Sequence, residues 1–412
     1  MVDSIKLHLE NMGPVNEANI NISDITVVGG HNSTGKSTLS KLLYSFLRSN
    51  SLNRQEIAYD SISKLIYRQT KYILREFGAQ DAIKLRKIKP WLRFLRNSDF
   101  EGFLDSYEEF KSQMYRWGYG DEFDERFKVI DDLVQVIEDD SQELYVSLMR
   151  TLMESEFLSN NFCCYIDIQD NQIDFKNHDF DDDGAFTSQD NFIVNDVFYI
   201  DSLSVLDTFD NSVFSNKNKI RHIDHLKSNL TDKNRDVFDE KINKNVIDLE
   251  KEINEIINGK FILEQGEFKF ITNENIKSNM QNTASGIKQI GLIQILLLNR
   301  KLTQNSFLII DEPEVNLHPE WQFKLAKILV LISKKLNISV YINTHSPLFI
   351  ESIHTYADYY DVLDKTTYHM AEIDGDTVKI NEVDEDDLSR IYDDLGKPYF
   401  DMDIIRLEKE ID

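Results

Sequence analysis

Apolar and polar residues alternate in two short segments at the start of the chain. Residues 4–10 alternate, and residues 15–22 do so again after the turn pair Gly13-Pro14, so the pattern predicts two antiparallel strands. Residues 24–30, Asp-Ile-Thr-Val-Val-Gly-Gly, have an apolar core, which is typical of a buried strand. Residues 39–47 then change to the apolar spacing of a helix.

The second half of the chain repeats the order strand, helix, strand. Residues 260–275 alternate like strands, and residues 286–300 predict an apolar helix. A buried strand is expected at 306–311, a helix at 319–336 and another strand at 338–343. Two consecutive strands joined by a helix imply a parallel sheet, so the expected fold class is α/β.

The middle of the chain differs in composition, with many aromatic and charged residues and few glycines. Helical spacing recurs over 58–80, 82–97, 100–117 and 124–153. Residues 161–194 predict a short hairpin with a solvated acidic tip, and residues 217–258 predict polar helix. We therefore expect a discontinuous core, a mainly helical insertion and a small acidic C-terminal segment, at 1–48 with 195–360, at 49–194 and at 361–412 respectively.

Composition narrows the class of protein. The chain has 412 residues, and its formal charge is −26 from 46 basic and 72 acidic side chains, so it repels a nucleic-acid backbone unless a local basic patch contacts it. The two cysteines, Cys163 and Cys164, are adjacent, which argues against a disulfide framework and fits a reducing compartment. With no signal-peptide pattern and no apolar run long enough for a bilayer, a cytoplasmic location is expected and a membrane partner is not.

The segment after the third strand fits the phosphate-binding pattern G-x-x-x-x-G-K-[ST]. Glycine lets the backbone turn so that its N–H groups point at phosphate oxygens, and the helix after it presents its positive N-terminus. In this pattern Lys36 would reach the β- and γ-phosphates and Ser37 would hold Mg²⁺. The candidate nucleotide-binding residues are Gly30, Asn32, Ser33, Thr34, Gly35, Lys36, Ser37 and Thr38.

The strand at 306–311 ends in two carboxylates. Asp311 at the strand end can bind Mg²⁺ directly or through water, and Glu312 is placed to polarise an attacking water molecule. The plainer interpretation is an ordinary strand followed by a charged turn. The phosphate-binding segment upstream favours the catalytic interpretation.

The next strand ends in Thr344-His345-Ser346-Pro347. A parallel neighbour of the acidic strand would bring His345 to the same sheet edge, where the imidazole could contact a phosphate and the attacking water. A helix cap made by Ser346 or Thr344 before Pro347 is the plainer interpretation, and the two are compatible.

Two further features leave alternatives open. Ser285 and Gly286 precede an apolar helix, which predicts either an anion-binding helix start or a simple helix cap. His222 and His225 lie three residues apart with Asp224 between them, which allows a metal site but favours a solvated helix.

Taken together and in this order, the four motifs resemble the heads of ABC-type ATPases. The similarity is greatest to the soluble branch that contains RecF-like, structural-maintenance-of-chromosomes (SMC) and OLD-family (overcoming lysogenization defect) proteins. It covers roughly residues 1–48 and 195–360, and 311–319 look like the OLD-type Walker B and D-loop. The resemblance implies an ABC-ATPase-like head with a mixed sheet, namely antiparallel N-terminal strands beside a parallel core.

The resemblance also implies an activity and partners. ATP and Mg²⁺ would be sandwiched between two heads, with Lys36 and Ser37 of one copy facing Ser285 and Gly286 of the other. Glu312, His345 and Lys36 would be catalytic, Ser37 and Asp311 would hold the metal, and an isolated monomer would hydrolyse ATP poorly. ABC heads place a glutamine at the lid, and here the comparable stretch offers Asp201 as a possible substitute.

What such a head drives is open to two hypotheses, beside a third in which the chain is a scaffold that binds ATP at an interface without hydrolysing it. OLD-family proteins usually carry a TOPRIM nuclease, but only some 50 residues follow the core here, and Asp401-Met402-Asp403 is better explained by a solvated helix or turn. By analogy with bacterial antiphage ATPases, the first hypothesis is control of a separate effector, a TOPRIM or HNH nuclease or a toxin. The second is a RecF-like head that clamps DNA directly through the basic and aromatic segment 84–96, whose plainer interpretation is a solvated helix face.

Overall fold

The computed structural model divides the chain into two compact units, residues 1–51 with 150–412 and residues 52–149. The residues that it describes are 5–51, 107–112, 115–116, 149, 152–153, 156–157, 164–168, 171–175, 194–201, 221–231, 244–264, 267–279 and 282–411. In the second unit every described residue is helical, and Tyr107 and Phe110 are buried. The predicted helices at 58–80 and 82–97, the basic segment 84–96 and the acidic segment 177–184 lie outside these ranges.

A mixed sheet of ten strands forms the centre of the first unit. Its strands are β1 (Ile5–Met12), β2 (Val15–Ile22), β3 (Ile25–Gly30), β4 (Cys164–Ile168), β5 (Asn171–Phe175), β6 (Val197–Ile200), β10 (Phe307–Asp311), β11 (Ser339–Thr344), β12 (Thr366–Asp374) and β13 (Thr377–Val383). They lie in the order β5-β4-β1-β2-β13-β12-β3-β11-β10-β6. Neighbours from β12 to β6 are parallel, and β5, β4, β1 and β2 are antiparallel to one another. The predicted α/β class with a mixed sheet is confirmed.

Helices and a second, smaller sheet surround these strands. The helices are α1 (Lys36–Ser51), α2 (His222–Thr231), α3 (Lys244–Ile257), α4 (Ser285–Leu298), α5 (Pro319–Leu336), α6 (Pro347–Tyr359) and α7 (Leu388–Ile411). The small antiparallel sheet consists of β7 (Gly259–Glu264), β8 (Glu267–Thr272) and β9 (Lys277–Asn279). None of the helices in the described part of the chain is both long and apolar enough to cross a membrane.

Helix α4 packs so closely on the small sheet that one position has no room for a side chain. A Cβ atom on Gly291 would lie 2.0 Å from the ring of Phe261. Gln294, one turn later, is fully buried and accepts the backbone N–H of Phe261 at 2.8 Å. The glycine and the glutamine therefore fix how the Ser285–Leu298 helix sits on the small sheet.

The C-terminal strands lie in the middle of the sheet, which differs from the predicted separate segment at 361–412. Strand β12 pairs in parallel with β3, and β13 pairs with β2. The alternation of these strands is local, but their partners lie more than 300 residues earlier, and nothing local in the sequence specifies such a partner. Strand β4 likewise pairs with β1, so the insertion as a separate unit spans 52–149 rather than 49–194.

His369 on β12 is a fully buried histidine that is held neutral. Its Nε2 accepts the backbone N–H of Asn21 at 3.0 Å, and burial lowers its pKa to about 3. A charged imidazolium at this position could not accept that hydrogen bond. The neutral ring therefore belongs to the native state.

We expect His369 to make the fold sensitive to acid. Between the ordinary pKa of 6.5 and the folded value near 3, the unfolded chain binds a proton that the native chain does not. The free energy of unfolding therefore falls by about 1.4 kcal/mol for each pH unit below the ordinary pKa, until the folded pKa is reached. Urea unfolding at pH 7 and at pH 5 measures this fall in the free energy of unfolding. His369→Gln, which keeps an acceptor, should lose less stability on acidification than the wild type; parallel losses in both proteins would contradict the prediction.

Candidate functional site

The carboxyl ends of four neighbouring parallel strands meet at one edge of the large sheet. In the strand register Asp311 of β10 pairs with Asn343 of β11, and Thr344 pairs with Gly29 of β3. On the other side of β10, Ile310 pairs with Ile200 of β6. The loops that leave these strands carry the predicted motifs, because the loops after parallel strands emerge at the same edge of a sheet.

The segment from Gly30 to Ser37, which we call the phosphate loop, connects β3 to the start of α1. Ser33 and Gly35 have positive φ angles of 66° and 83°, so the backbone turns sharply before the helix. A cavity of about 220 Å³ opens above it. The cavity is lined by Pro14, Ser33, Thr34, Gly35, Lys36, Ser37, Thr38 and Glu312.

Lys36 is folded back onto the loop. Its Nζ donates to the carbonyl oxygens of Gly30 at 2.8 Å and of His31 at 2.6 Å, and the side chain is nearly buried. Burial lowers the pKa of Lys36, and the nearby carboxylates, chiefly Glu312, oppose this effect. An anion in the cavity would compete with two neutral carbonyl groups for a buried cation, and a charged acceptor binds more strongly.

Asp311 lies at the centre of a buried polar network. Its Oδ1 accepts from Ser40 Oγ at 2.7 Å and from Asn343 Nδ2 at 2.6 Å, and its Oδ2 accepts from Tyr199 Oη at 2.7 Å. Asn343 also donates to the carbonyl oxygen of Lys36 at 2.8 Å. The network fixes the carboxylate against the first turn of the Lys36–Ser51 helix.

The donor set at Asp311 fits a metal ion. A carboxylate offers about four lone-pair positions, and three hydrogen bonds use three of them. Counting only donors from the described part of the chain, one position is left for a cation or for a water molecule bound to it. Ser37, which lines the cavity, would supply the hydroxyl that Mg²⁺ takes in phosphate loops of this type.

Glu312 has an unusual backbone. Its φ is +46°, in the left-handed region that a residue with a Cβ enters at a cost of about 1 kcal/mol. The conformation is held by the N–H of Glu312, which donates to the carbonyl of Asn343 at 2.8 Å. It directs the chain so that the side chain lines the cavity, with about a third of its surface exposed.

His345 is held by a second, deeper carboxylate. Glu314 Oε1 accepts the backbone N–H of His345 at 2.6 Å and the hydroxyl of Thr344 at 2.7 Å, and it lies 3.0 Å from His345 Nδ1. Contact with Glu314 raises the pKa of His345, and Glu312, whose Oε1 is 3.9 Å from Nδ1, adds to this effect. The protonated imidazole therefore persists to higher pH than an ordinary histidine.

The helix cap at the same strand end is also present. Ser346 Oγ accepts the N–H of Phe349 at 3.2 Å and caps the Pro347–Tyr359 helix. It also donates to Gln322 Oε1 at 2.9 Å, which joins the His345 segment to the Pro319–Leu336 helix. The helix-cap interpretation of this segment is therefore confirmed, and the catalytic interpretation of His345 stays a prediction.

Ser285 and Gly286 are apart from the cavity within one chain. Ser285 Oγ donates to the carbonyl of Asn316 at 2.7 Å, and a Cβ on Gly286 would lie 2.6 Å from Trp321 Cγ. Ala284, which has no capping side chain, precedes the helix, so Ser285 is not a side-chain cap. Neither residue lines the cavity; Ser285 adjoins the loop between Asp311 and Pro319, and Gly286 adjoins Trp321 on the helix that follows the loop.

The structure thus brings together the predicted residues of the phosphate loop, Asp311 and Glu312, with His345 beside them. Sequence reasoning missed the residues that hold these in place, namely Ser40, Tyr199, Glu314, Gln322 and Asn343. The signal that could have found two of them was a polar residue within an otherwise apolar strand, at Tyr199 and at Asn343.

The structure corrects the predicted surroundings of His222 and His225. Both are buried, so the solvated-helix interpretation is wrong. His222 contacts Glu156 and Asp201, and His225 contacts Asp196. Within the described ranges no group of three or more His, Cys, Asp and Glu side chains is arranged to hold a metal ion. Asp401 lies on the Leu388–Ile411 helix and is exposed, as the solvated-helix interpretation expected.

Comparison with known proteins decides the family. A family model described as an AAA ATPase domain matches residues 5–350. The chain belongs to this family.

Solved structures that resemble the AAA ATPase chain include SMC heads. The SMC head domain from Thermotoga maritima is 11% identical with a TM-score of 0.40, covering 92% of this chain and 99% of that one. A second structure is the Smc head domain with an extended coiled coil bound to the C-terminal domain of ScpA, derived from Pyrococcus furiosus. It is 10% identical with a TM-score of 0.36, and the match covers 95% of this chain and 98% of that one. The Smc head domain with a coiled coil and joint from Pyrococcus yayanosii is 10% identical with a TM-score of 0.39, and the match covers 96% of this chain and 99% of that one. No curated protein matches the sequence.

Proposed function

We propose that this AAA ATPase hydrolyses ATP with Mg²⁺ between two copies of the chain, and that this cycle controls a separately encoded effector in antiphage defence. One observation carries the ATPase part. The phosphate loop and Glu312 line one cavity, and Asp311, at the end of the neighbouring strand, accepts three hydrogen bonds that hold its carboxylate in place.

The chain's own residues suit hydrolysis of a terminal phosphate. Lys36 exchanges its two carbonyl partners for phosphate oxygens, and the backbone N–H groups of the loop hold the rest of the phosphate chain. Glu312 accepts a hydrogen bond from the attacking water and orients it. His345, protonated through Glu314, donates toward the developing charge. Mg²⁺, when bound at Ser37 and Asp311, neutralises charge on the phosphates.

A second copy would complete the site. Ser285 and Gly286, at the start of the Ser285–Leu298 helix, do not line the cavity; within one chain they adjoin Asn316 and Trp321 respectively. In a dimer, the start of this helix in the partner copy would face the γ-phosphate on the side opposite Lys36. The two sites of such a dimer are equivalent by two-fold symmetry.

The shared site can be tested by the concentration dependence of hydrolysis. If each site needs two copies, the specific activity of the purified protein rises with protein concentration and then saturates. Phosphate release from Mg²⁺-ATP over a dilution series measures it. A specific activity that does not change on dilution, in a protein that stays monomeric with ATP, would overturn the shared site.

The control of an effector rests on analogy with ATPases of bacterial antiphage systems, which pair with a nuclease from another gene. Its test is in cells. With the neighbouring reading frame co-expressed, wild-type protein should restrict phage growth, and Lys36→Ala should not. Equal restriction by both proteins would contradict the proposal.

Direct clamping of DNA is the alternative, and the basic segment 84–96 favours it. It predicts DNA binding that weakens steeply with salt. Replacing Arg86, Lys87 and Arg93 by glutamate should then abolish binding, whereas effector control does not require these residues.

A further inference from the structure

A second polar cluster lies behind the nucleotide site and is used by none of the steps above. It joins three segments that are far apart in sequence. Its members are Glu156, Tyr199, Asp201 and His222. Glu156 and His222 are almost completely buried, which charged groups accept only when they are paired.

His222 stands between two carboxylates. Its Nδ1 donates to Glu156 Oε2, and its backbone N–H donates to Glu156 Oε1 at 2.6 Å. On the other side of the ring, Nε2 lies 3.1 Å from Asp201 Oδ2 in an ion-pair contact. Burial lowers the pKa of His222, but the two carboxylates outweigh it and raise the pKa to about 9. At neutral pH both ring nitrogens therefore carry a proton.

The same ring packs against Tyr199. The two ring centroids are 4.4 Å apart, and the Tyr199 hydroxyl donates to Asp311 Oδ2 at 2.7 Å. Tyr199 and Asp201 lie on either side of the end of β6, next to the strand that carries Asp311. A continuous set of contacts thus runs from Glu156 through His222 and Tyr199 to the carboxylate at the sheet edge.

We propose that His222, anchored by Glu156, is a positioning residue that holds Asp201 and the Tyr199 ring in place and thereby orients Asp311 for the Mg²⁺-dependent reaction. The inference rests on the ATPase function proposed above. Groups that are hydrogen-bonded directly to a metal ligand typically change metal affinity or activity by about 10- to 100-fold when they are removed. Tyr199 is such a group for Asp311, and His222 acts through it, so a smaller effect is expected for His222.

The orientation matters because the donors in the described part of the chain leave Asp311 one lone-pair position. Loss of the Tyr199 hydrogen bond, or rotation of its ring, would let the carboxylate turn within the network formed by Ser40 and Asn343. The metal-dependent part of nucleotide binding should then weaken, while contacts made by the phosphate loop are kept. This separates positioning from a general loss of structure.

Three variants of His222 and one control test the proposal. His222→Gln keeps an amide N–H near the position of Nε2, toward Asp201, while His222→Asn keeps one near Nδ1, toward Glu156. His222→Ala keeps neither. The control is His225→Gln, one turn later on the same helix; His225 is buried too, and its contacts are with Asp196 and the Phe198 ring. Thermal unfolding reports the stability of all four.

The readouts are kcat, the Mg²⁺ concentration for half-maximal turnover, and the affinity for a fluorescent ATP analogue with Mg²⁺ or with EDTA. We expect His222→Ala to lower kcat and to raise the Mg²⁺ requirement by up to about 10-fold, with affinity in EDTA changed less than about 2-fold. His222→Gln should retain more activity than His222→Asn. His225→Gln should keep the wild-type Mg²⁺ requirement, whatever its stability.

Two results would overturn the proposal. One is a wild-type Mg²⁺ requirement in His222→Ala. The other is a Mg²⁺ requirement that rises equally in His222→Gln, His222→Asn and His225→Gln, in step with their loss of stability. This second comparison can be made even if His222→Ala does not fold. If the wild type binds Mg²⁺-ATP but releases no phosphate, hydrolysis as proposed fails, and the binding measurements alone still decide the role of His222.

Discussion

Lys36→Ala should abolish ATP turnover and weaken ATP binding by about 100-fold or more, because it removes the cation that lines the cavity. The lysine already pairs with two carbonyl oxygens, and phosphate oxygens are charged acceptors that take their place. The remaining backbone N–H groups carry only partial charges. Titration with a fluorescent ATP analogue, together with phosphate release, measures both losses.

The matched control is Lys6→Ala, which removes an exposed lysine from β1 and should leave both quantities unchanged. Lys36→Arg should rescue little, since a planar guanidinium does not fit the position of a compact ammonium group between Gly30 and His31. Wild-type ATP affinity in Lys36→Ala would show that the cavity is not the nucleotide site.

Glu312→Gln should lower the rate of hydrolysis by about 100- to 1,000-fold and leave ATP affinity nearly unchanged. The amide has the shape of the carboxylate but cannot take a proton from water or orient it as strongly. The left-handed backbone at this position is kept, since glutamine meets the same restriction as glutamate. Single-turnover hydrolysis and equilibrium binding separate the two effects.

Glu320→Gln is the control for that variant. Glu320 is an exposed carboxylate on the Pro319–Leu336 helix whose partner is Lys324, and its loss should not affect hydrolysis. If Glu312→Gln releases phosphate at the wild-type rate, then another group orients the water. If both the wild type and Glu312→Gln bind ATP and neither releases phosphate, ATP is a structural ligand at an interface.

The phosphate loop was predictable because all of its residues are contiguous. Strand, glycine, lysine and helix come one after another within 24–47, and the structure places them in the same order. The end of β10 was predictable for the same reason. A short apolar strand that ends in Asp311 and Glu312 needs no distant information.

The contacts that hold the site in place were not predictable, because each joins residues that are far apart along the chain. Asp311 is held by Ser40, Tyr199 and Asn343, which come from three separate elements. His222 lies on a helix whose sequence is mostly polar, and its burial depends on Glu156. Local periodicity reports which face of an element is apolar, but not which distant charge pairs with a buried histidine.

The strands at 366–383 give the same lesson for the fold. Nothing local in their sequence indicated their position between β2 and β3. A parallel partner is chosen by the whole sheet and not by the sequence of one strand.

Mixing two inactive variants tests the shared nucleotide site most directly. Lys36→Ala removes one side of each site and Ser285→Arg blocks the other, so each variant alone should be inactive. In a mixed dimer one site carries both changes and the other carries neither, so an equal mixture should regain roughly a quarter of the wild-type rate of phosphate release. A mixture no more active than the two variants measured separately would contradict a site built from two copies.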